Sequence, residues 1–400
     1  MKGIFIIFVM LISFSLISSE ASSFSSSSTC VTYIPSKKLI TITCDTATLS
    51  DVYRQLRDDS VLKKEEEGKS ASRAIWLLDA KLLIEKNSKF IIDSNDTAWL
   101  KIVSDGTTNV NNNIIVYGSM KIDSVKITSW NPKTNNYATN LGPEPSRAFI
   151  RVMKGATGTT DIINSEIAYL GYSPKTPPRA GVNSGLNYDG GNGSVLRDNN
   201  IHHMWAGIYT RGVSDIIIEG NVVYHNYHYG LDPHTGTHDV IIRNNIVHDN
   251  GEEGIICSLD CYNIIIENNE VYNNTQAGIM FSRNMTDSVA RSNNVHDETK
   301  GIFLSESNNN QIYDNIISNS KDGIYLKSGS SNNEIYNNTV NYAISNAILV
   351  NVGSSRNMFY SNTIINTTTN GYGINVKDPL YSVDNKFENN HLINSRESLQ

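Results

Sequence analysis

Ile241-Ile242-Arg243-Asn244-Asn245-Ile246 and Ile264-Ile265-Ile266-Glu267-Asn268-Asn269-Glu270-Val271 are two copies of one pattern. An earlier copy is Ile216-Ile217-Ile218-Glu219-Gly220-Asn221-Val222. Each runs three or four β-formers, an asparagine, another β-former, a polar stretch, and then a glycine followed by apolar residues. The asparagine recurs at Asn200, Asn221, Asn245, Asn269, Asn294, Asn315, Asn338 and Asn362. The glycine recurs at Gly207, Gly230, Gly254, Gly278, Gly301 and Gly323, gives way to Ala347 and returns at Gly373. The spacing is about 23 residues, with no helical apolar period running through it. A repeat of that length built from short β segments is one coil of a solenoid. The Leu-x-x-Leu-x-Leu skeleton of a leucine-rich repeat is absent. The pattern therefore predicts an all-β chain, a right-handed parallel β-helix with coils of about 22–25 residues and an asparagine amide ladder inside a turn.

Outward from this core the pattern loosens. Residues 74–395 read as the β-helix, with Pro/Gly-bearing loops inserted near 130–147 and 172–194 that would wall a groove. A solenoid needs its open end covered. Residues 24–73 supply an N-terminal hairpin and cap, in which the charged stretch from Asp51 to Lys69 has helix-forming composition. Cys30 and Cys44 bracket two β-rich runs that a hairpin would bring together, which predicts a disulfide between them. Cys257 and Cys261 pair only if the chain turns between them.

Residues 1–23 combine an early lysine, an apolar run from Ile4 to Ile17 and a small-residue exit, the pattern of a secretory signal peptide. The mature chain is then expected outside the cytoplasmic membrane, secreted, at the cell surface or periplasmic, with no membrane contact beyond that signal. The 400 residues are 18% charged with a formal net charge of −7. Without a basic excess, nucleic acid is not an expected partner. About one residue in eight is asparagine and 20 are tyrosine, which suits short strands joined by turns rather than a disordered chain. No metal-ligand cluster and no calcium-binding nonapeptide stands out. No cofactor and no metal are expected, and the chain should act as a monomer.

The glycine column sets strand parity. Odd offsets are apolar or small (Ile208, Thr210; Leu231, Pro233; Ile255, Cys257; Ile279, Phe281) and should point into the coil, so even offsets point out. The outward set is Tyr209 and Arg211, then Asp232 and His234, then Ile256, Ser258 and Asp260, then Met280, Ser282 and Asn284, with Tyr325 and Lys327 beyond. Strands on adjacent coils lie roughly 4.8 Å apart, which places Arg211, His234 and Ser258 in one file beside Tyr209, Asp232 and Ile256. An acid, an imidazole, a cation and a phenol then share one open face. His234 stands out among the histidines because Pro233 interrupts its strand and removes a ladder hydrogen bond. An anionic chain handling an anionic polymer needs a local positive groove, here expected from Arg211, Arg243, Arg283 and Lys327.

Tyr229-Gly230-Leu231-Asp232-Pro233-His234 resembles the signature of the mannuronan C5-epimerases, alginate-modifying β-helix enzymes in which such a run lines the substrate groove. The likeness extends through His248-Asp249-Asn250 and Gly254-Ile255-Ile256, and upstream through Leu170-Gly171-Tyr172 and Gly207-Ile208-Tyr209. It covers roughly residues 165 to 330 at motif grade. The resemblance implies that His234 abstracts the C5 proton of a uronate and that Tyr229 is the partner acid or second base on the opposite face. It also implies that Asp232 shapes the groove and its pKa values. Two positions depart from the family. Its periplasmic branch has an arginine where this chain has Leu259, and its secreted modular branch has an aspartate where this chain has Ser258. Arg283 and Asp260 are candidate replacements, and Arg211 is the preferred carboxylate clamp, with Tyr209, Ser258 and Lys327 completing the substrate-binding set.

Three functions compete. An epimerase acting on a β-1,4-linked polyuronate needs a base, a cation for the carboxylate and an open groove. A polysaccharide lyase shares the proton abstraction and then expels the 4-linked sugar. A non-catalytic carbohydrate-binding β-helix would use Tyr209, Trp205 and Tyr227 as stacking platforms. A glycoside hydrolase needs two carboxylates facing each other across the scissile bond, and Asp232 with Asp260 is the one candidate pair on this face.

Overall fold

The computed structural model describes residues 29–65, 73–106, 112–144, 146–173 and 183–398; the expected signal peptide, residues 1–23, lies outside the described residues. One coil shows the plan. Leu231–His234 runs along a first sheet, His238–Arg243 along a second and Ile246–His248 along a third, after which Ile255–Ser258 returns to the first sheet. Repetition builds two sheets of 15 strands and one of 13. Among the described residues, antiparallel pairing is confined to the N-terminal region and one short hairpin. Like stacks on like: Ile242 pairs with Ile266 in the second sheet and Val247 with Val271 in the third. These inward residues are fully buried, so the β-branched apolar positions form one core running the length of the solenoid.

The corner between the second and third sheets explains the asparagine repeat. The residue before each ladder position takes a left-handed backbone, as at Asn244 (φ 56°), Asn268 (φ 56°) and Asn337 (φ 54°), which short polar side chains tolerate. The next asparagine turns inward. Asn245 Nδ2 donates to Asn269 Oδ1 at 2.9 Å, and Asn269 Nδ2 donates to Asn293 Oδ1 at 3.0 Å and to the Ile242 carbonyl at 3.0 Å. The column runs Asn199, Asn221, Asn245, Asn269, Asn293, Asn315, Asn338, Asn362, Asn390. Its members are Asn199 and Asn293, not Asn200 and Asn294 as the repeat suggested. Asp198 and Ser292 are the left-handed residues there, so the first asparagine of each pair takes the inward place. Shorter ladders fill the other two corners, Asn310-Asn333-Asn357-Asn385 and Asn226-Asn250-Asn274-Glu298.

The N-terminal region is a hairpin of Val31–Ile34 with Leu39–Ile42, closed by the Cys30–Cys44 disulfide, and a helix, Leu49–Leu56. The helix stops at Leu56, short of the charged run expected to continue it, because Arg57 turns left-handed and Leu62–Glu65 pairs as a strand with Ala74–Leu78. Coiling starts earlier than residue 74, since Leu39–Ile42 already pairs in parallel with Lys81–Ile84. In the first insertion Asn136–Tyr137 folds back on Trp130 and Asn131. The second is shorter than 172–194, because Gly185–Tyr188 is a strand of the first sheet. The chain does turn between Cys257 and Cys261, through left-handed Leu259 and Asp260, yet both thiols are free and buried.

Two stability predictions follow from the corners. Asn269→Ala leaves the Asn245 donors and the Ile242 carbonyl unpaired in a buried corner, and should cost roughly 2–5 kcal/mol in chemical denaturation. A change within about 0.5 kcal/mol would contradict the ladder's role. Glu298 closes its ladder as the acceptor of Asn274 Nδ2, and burial pushes its pKa from 4.5 up to about 8. A carboxyl held neutral in the fold contributes stability that is full below pH 4.5 and drains away as pH rises towards 8. Glu298→Gln should flatten that slope and add on the order of a few kcal/mol at pH 8; an unaltered slope between pH 5 and 8 would contradict the assignment.

Candidate functional site on the first sheet

The alternation expected from the glycine column is present. Ile208, Thr210, Leu231, Ile255, Cys257, Ile279 and Phe281 are fully buried. On the opposite side of the strands, Tyr209 pairs with Asp232 and Arg211 with His234, and His234 pairs in turn with Ser258. The file continues from Ser258 through Ser282 and Ser305 to Lys327. Lys327 thus stands three strands beyond Ser258, about 14 Å away.

His234 is the centre of this face. The Tyr209 ring packs against it at 5.4 Å, the Thr235 hydroxyl sits on its Nδ1, and Arg283 Nη2 lies 3.5 Å from its Nε2. Burial, then the charges of Arg283 and Arg211, lower the imidazole pKa to about 4. His234 is therefore a neutral, proton-accepting ring at pH 7. Arg283 reaches it from two coils away by a break in parity. Strand alternation would send an odd-offset residue inward, but Arg283 and Asn284 are both left-handed (φ 52° and 68°), and the double turn swings the guanidinium back over the sheet. There Arg283 Nε donates to Ser258 Oγ at 2.9 Å. Among the described residues it has no carboxylate partner, whereas Arg211, Arg243 and Arg291 pair with Asp189, Glu219 and Glu267.

The other expected site residues divide accordingly. Arg211 lies beside His234 but is held by Asp189 Oδ1 at 2.8 Å, and Asp189 is also gripped by Arg151 at 2.6 Å. Its charge is thereby partly spent within the protein. Arg243 is on the second sheet with Glu219, off this face. Ser258 is fully buried beneath Arg283, so its hydroxyl holds the guanidinium instead of facing the groove. Asp260 accepts from Asn284 Nδ2 at 2.7 Å in the exposed turn. Tyr209 is only 3% exposed, which makes it packing for His234 in place of an open stacking platform. Asp232 is buried too, its Oδ1 has no protein partner, and burial raises its pKa well above the carboxylate range, against the lowering influence of Arg283. Trp205 and Tyr227 stack on each other at 4.8 Å, leaving Tyr227 with the more open ring, 54% exposed.

Tyr229 stands five residues before His234 and two before the strand Leu231–His234 begins. Extended chain allows at most about 17 Å between their Cα atoms. Burial, then the charges of Glu252 and Asp232, raise the Tyr229 pKa and keep its hydroxyl protonated. Glu252 also lies 2.9 Å from His228 Nδ1. It borders an open cleft of about 710 Å³ lined by His225, Tyr227, His228, Asp249 and Thr275. Thr235, Asp189 and Glu252 were missed by sequence reasoning. Asp189 sat in a stretch read as loop, and Glu252 carried only the weak signal of an acid two residues before the repeat glycine.

The curated relatives are mannuronan C5-epimerases of Pseudomonas syringae pv. tomato, 26% identical over 46% of this chain and 34% of the relative, and of Pseudomonas fluorescens, 30% identical over 29% and 23%. The alignments thus span about a third or less of those proteins' lengths. The periplasmic alginate epimerase AlgG superposes with a TM-score of 0.75 at 22% identity, covering 88% of this chain and 85% of that one, which establishes likeness of fold. The family described as a right-handed β-helix region matches residues 86–263, 184–340 and 286–398. With that match extending over most of its length, the chain belongs to the right-handed β-helix family.

Proposed function

We propose that this protein is a mannuronan C5-epimerase, a secreted enzyme that converts β-D-mannuronate to α-L-guluronate residues within a polymer. The observation that carries the reading is a neutral imidazole beside a guanidinium that no protein carboxylate claims, His234 Nε2 and Arg283 Nη2 at 3.5 Å, on an open sheet face. The partial alignments with mannuronan C5-epimerases support it. The Cys30–Cys44 disulfide supports an oxidising compartment.

A proton α to a carboxylate is weakly acidic, so the enzyme must offset the carboxylate charge and set a base within reach of C5. Arg283 takes the carboxylate in this reading, in preference to Arg211, whose charge Asp189 already engages. His234 takes the proton, and Tyr229, held protonated, returns one from the other side and inverts C5. Asp232 matters by being uncharged: an ionised carboxylate at that place would repel the substrate's own. Lys327 extends positive charge along the file for a neighbouring uronate.

Proton NMR of polymannuronate incubated with the protein in D₂O tests this. Guluronate signals with deuterium at C5 should appear, and His234→Ala should slow their appearance roughly 10²–10⁴-fold. Unsaturated 4,5-ends would convert the reading to a lyase, and an unchanged polymer would refute it for this substrate. The pH profile is a second check. Because His234 works deprotonated, kcat/KM should rise through about pH 4 and then level. Arg283→Gln removes a charge that lowers that pKa, so the acid limb should move up towards the ordinary imidazole value of about 6.5. The same variant should lower kcat/KM at neutral pH by roughly 10²–10³-fold. A limb that stays in place would separate Arg283 from the base.

A further inference from the structure

Trp205 and Tyr227 hold the same place in successive coils, one residue past the corner between the third and first sheets. The Tyr227 backbone N–H donates to the Met204 carbonyl at 3.0 Å, the Gly251 N–H to that of Asn226 at 2.9 Å and the Thr275 N–H to that of Asn250 at 3.2 Å, so the column runs Trp205, Tyr227, Gly251, Thr275. The two rings stack at 4.8 Å and 18°. Glycine follows them because a Cβ at residue 251 would stand 1.9 Å from the Tyr227 carbonyl oxygen. The aromatic column therefore stops at Tyr227, whose ring keeps one face open. His228 does not cover that face: it lies 5.2 Å from Tyr227 and 4.5 Å from Trp205, beside the pair and not beyond it.

The open face looks into the cleft of about 710 Å³. Trp205 is not part of the lining, whereas Asp249, Gly251 and Glu252 of the next coil and Asn273 and Thr275 of the one after are. The cleft thus occupies the space above Tyr227 that a third ring would have filled. Its edge carries acceptors and donors together. Asp249 and Glu252 each meet one imidazole nitrogen, of His248 at 2.7 Å and His228 at 2.9 Å, which leaves most of their lone pairs for a ligand. Asn273 and Thr275 are exposed and add an amide and a hydroxyl. An aromatic face rimmed by both kinds of group matches a pyranose, with its C–H face on the ring and its hydroxyls at the edge.

Charge narrows the choice of sugar. No lysine or arginine among the described residues lines the cleft, and the His228 contact lowers the Glu252 pKa and keeps that carboxylate ionised. A uronate would bring its own negative charge against Asp249 and Glu252. A cationic ligand would leave the Asn273 donors without a use. We propose that this cleft is a second carbohydrate site that takes an uncharged hexopyranose unit, stacked on Tyr227 in the place Gly251 leaves vacant, with Asp249 and Glu252 accepting its hydroxyl protons. The site lies apart from His234, which the cleft does not include, and it does not depend on the epimerase reading.

Saturation-transfer difference NMR on the protein tests it, with β-1,4-mannotetraose as the neutral probe, the mannuronate tetramer as its anionic counterpart and the glucosamine tetramer as a cationic one. Mannotetraose should bind with a Kd on the order of 1 mM, with transfer strongest to the C–H protons of one ring face. Tyr227→Phe keeps the platform and should hold the affinity within about twofold. Tyr227→Ala and Glu252→Gln should each weaken it roughly tenfold or more, while Tyr227→Ala leaves any binding of the mannuronate tetramer unchanged. No transfer to mannotetraose at about 10 mM, or binding that survives both Tyr227→Ala and Glu252→Gln undiminished, overturns the proposal. So does tighter binding of the glucosamine tetramer, which would make the cleft a cation site. A mannuronate affinity that falls with Tyr227→Ala also overturns it, by making the cleft part of the uronate groove.

Discussion

An asparagine side chain that donates to the asparagine of the coil above and accepts from the one below sets the geometry of everything else. Each corner amide hands its Oδ1 to both the backbone N–H and the side chain of its predecessor, as Asn269 does for Asn245. A coil can neither slip nor tilt without orphaning buried polar groups. Such fixed registry lets residues from different coils, His234, Ser258 and Arg283, be placed against one another with no helix or domain to support them. Because parallel strands cannot slide by one residue without turning every side chain to the other face, the site is as well determined as the core behind it.

The site itself comes from departures in that regularity. Pro233 removes one donor from the strand, and left-handed pairs at Leu259-Asp260 and Arg283-Asn284 end the strands above it. These turns send side chains back over the face that strict alternation would direct inward. Electrostatics then sorts the residues. Of the arginines on or near the face, Arg151 and Arg211 share Asp189, while Arg283 meets a hydroxyl and an imidazole. An anionic protein thereby keeps, at this place along the solenoid, a cation with no carboxylate partner among the described residues, next to a buried, uncharged acid and a depressed histidine.

The fold was legible in the sequence because a repeated coil repeats its evidence: Asn221, Asn245 and Asn269 and the apolar residues around them state the same constraint several times. Where two asparagines adjoin, as at Asn199-Asn200, the repeat alone could not say which turns inward, since that depends on the left-handed residue before the pair. Within the site, strand parity placed Tyr209, Arg211, Asp232 and His234 correctly because they lie inside regular strand. It failed for Arg283, which lies in a left-handed turn that the residue types do not announce. Exposure was also beyond reach: Ser258 and Tyr209 face outward by register yet are covered by Arg283 and packed on His234. Glu252 was invisible because its contact with His228 joins successive coils outside any strand.

The central claim is that Arg283 and His234 together meet one uronate, carboxylate and C5 respectively. A crystal structure of the His234→Gln variant with a mannuronate oligomer tests it most directly. The account predicts the polymer along the first sheet, one carboxylate on the Arg283 guanidinium, and a C5 atom within about 3.5 Å of the residue-234 side chain, with Tyr229 on the sugar's other side. An oligomer seated with its carboxylate on Arg211, or bound in the cleft beside Tyr227 with nothing over residue 234, would contradict it.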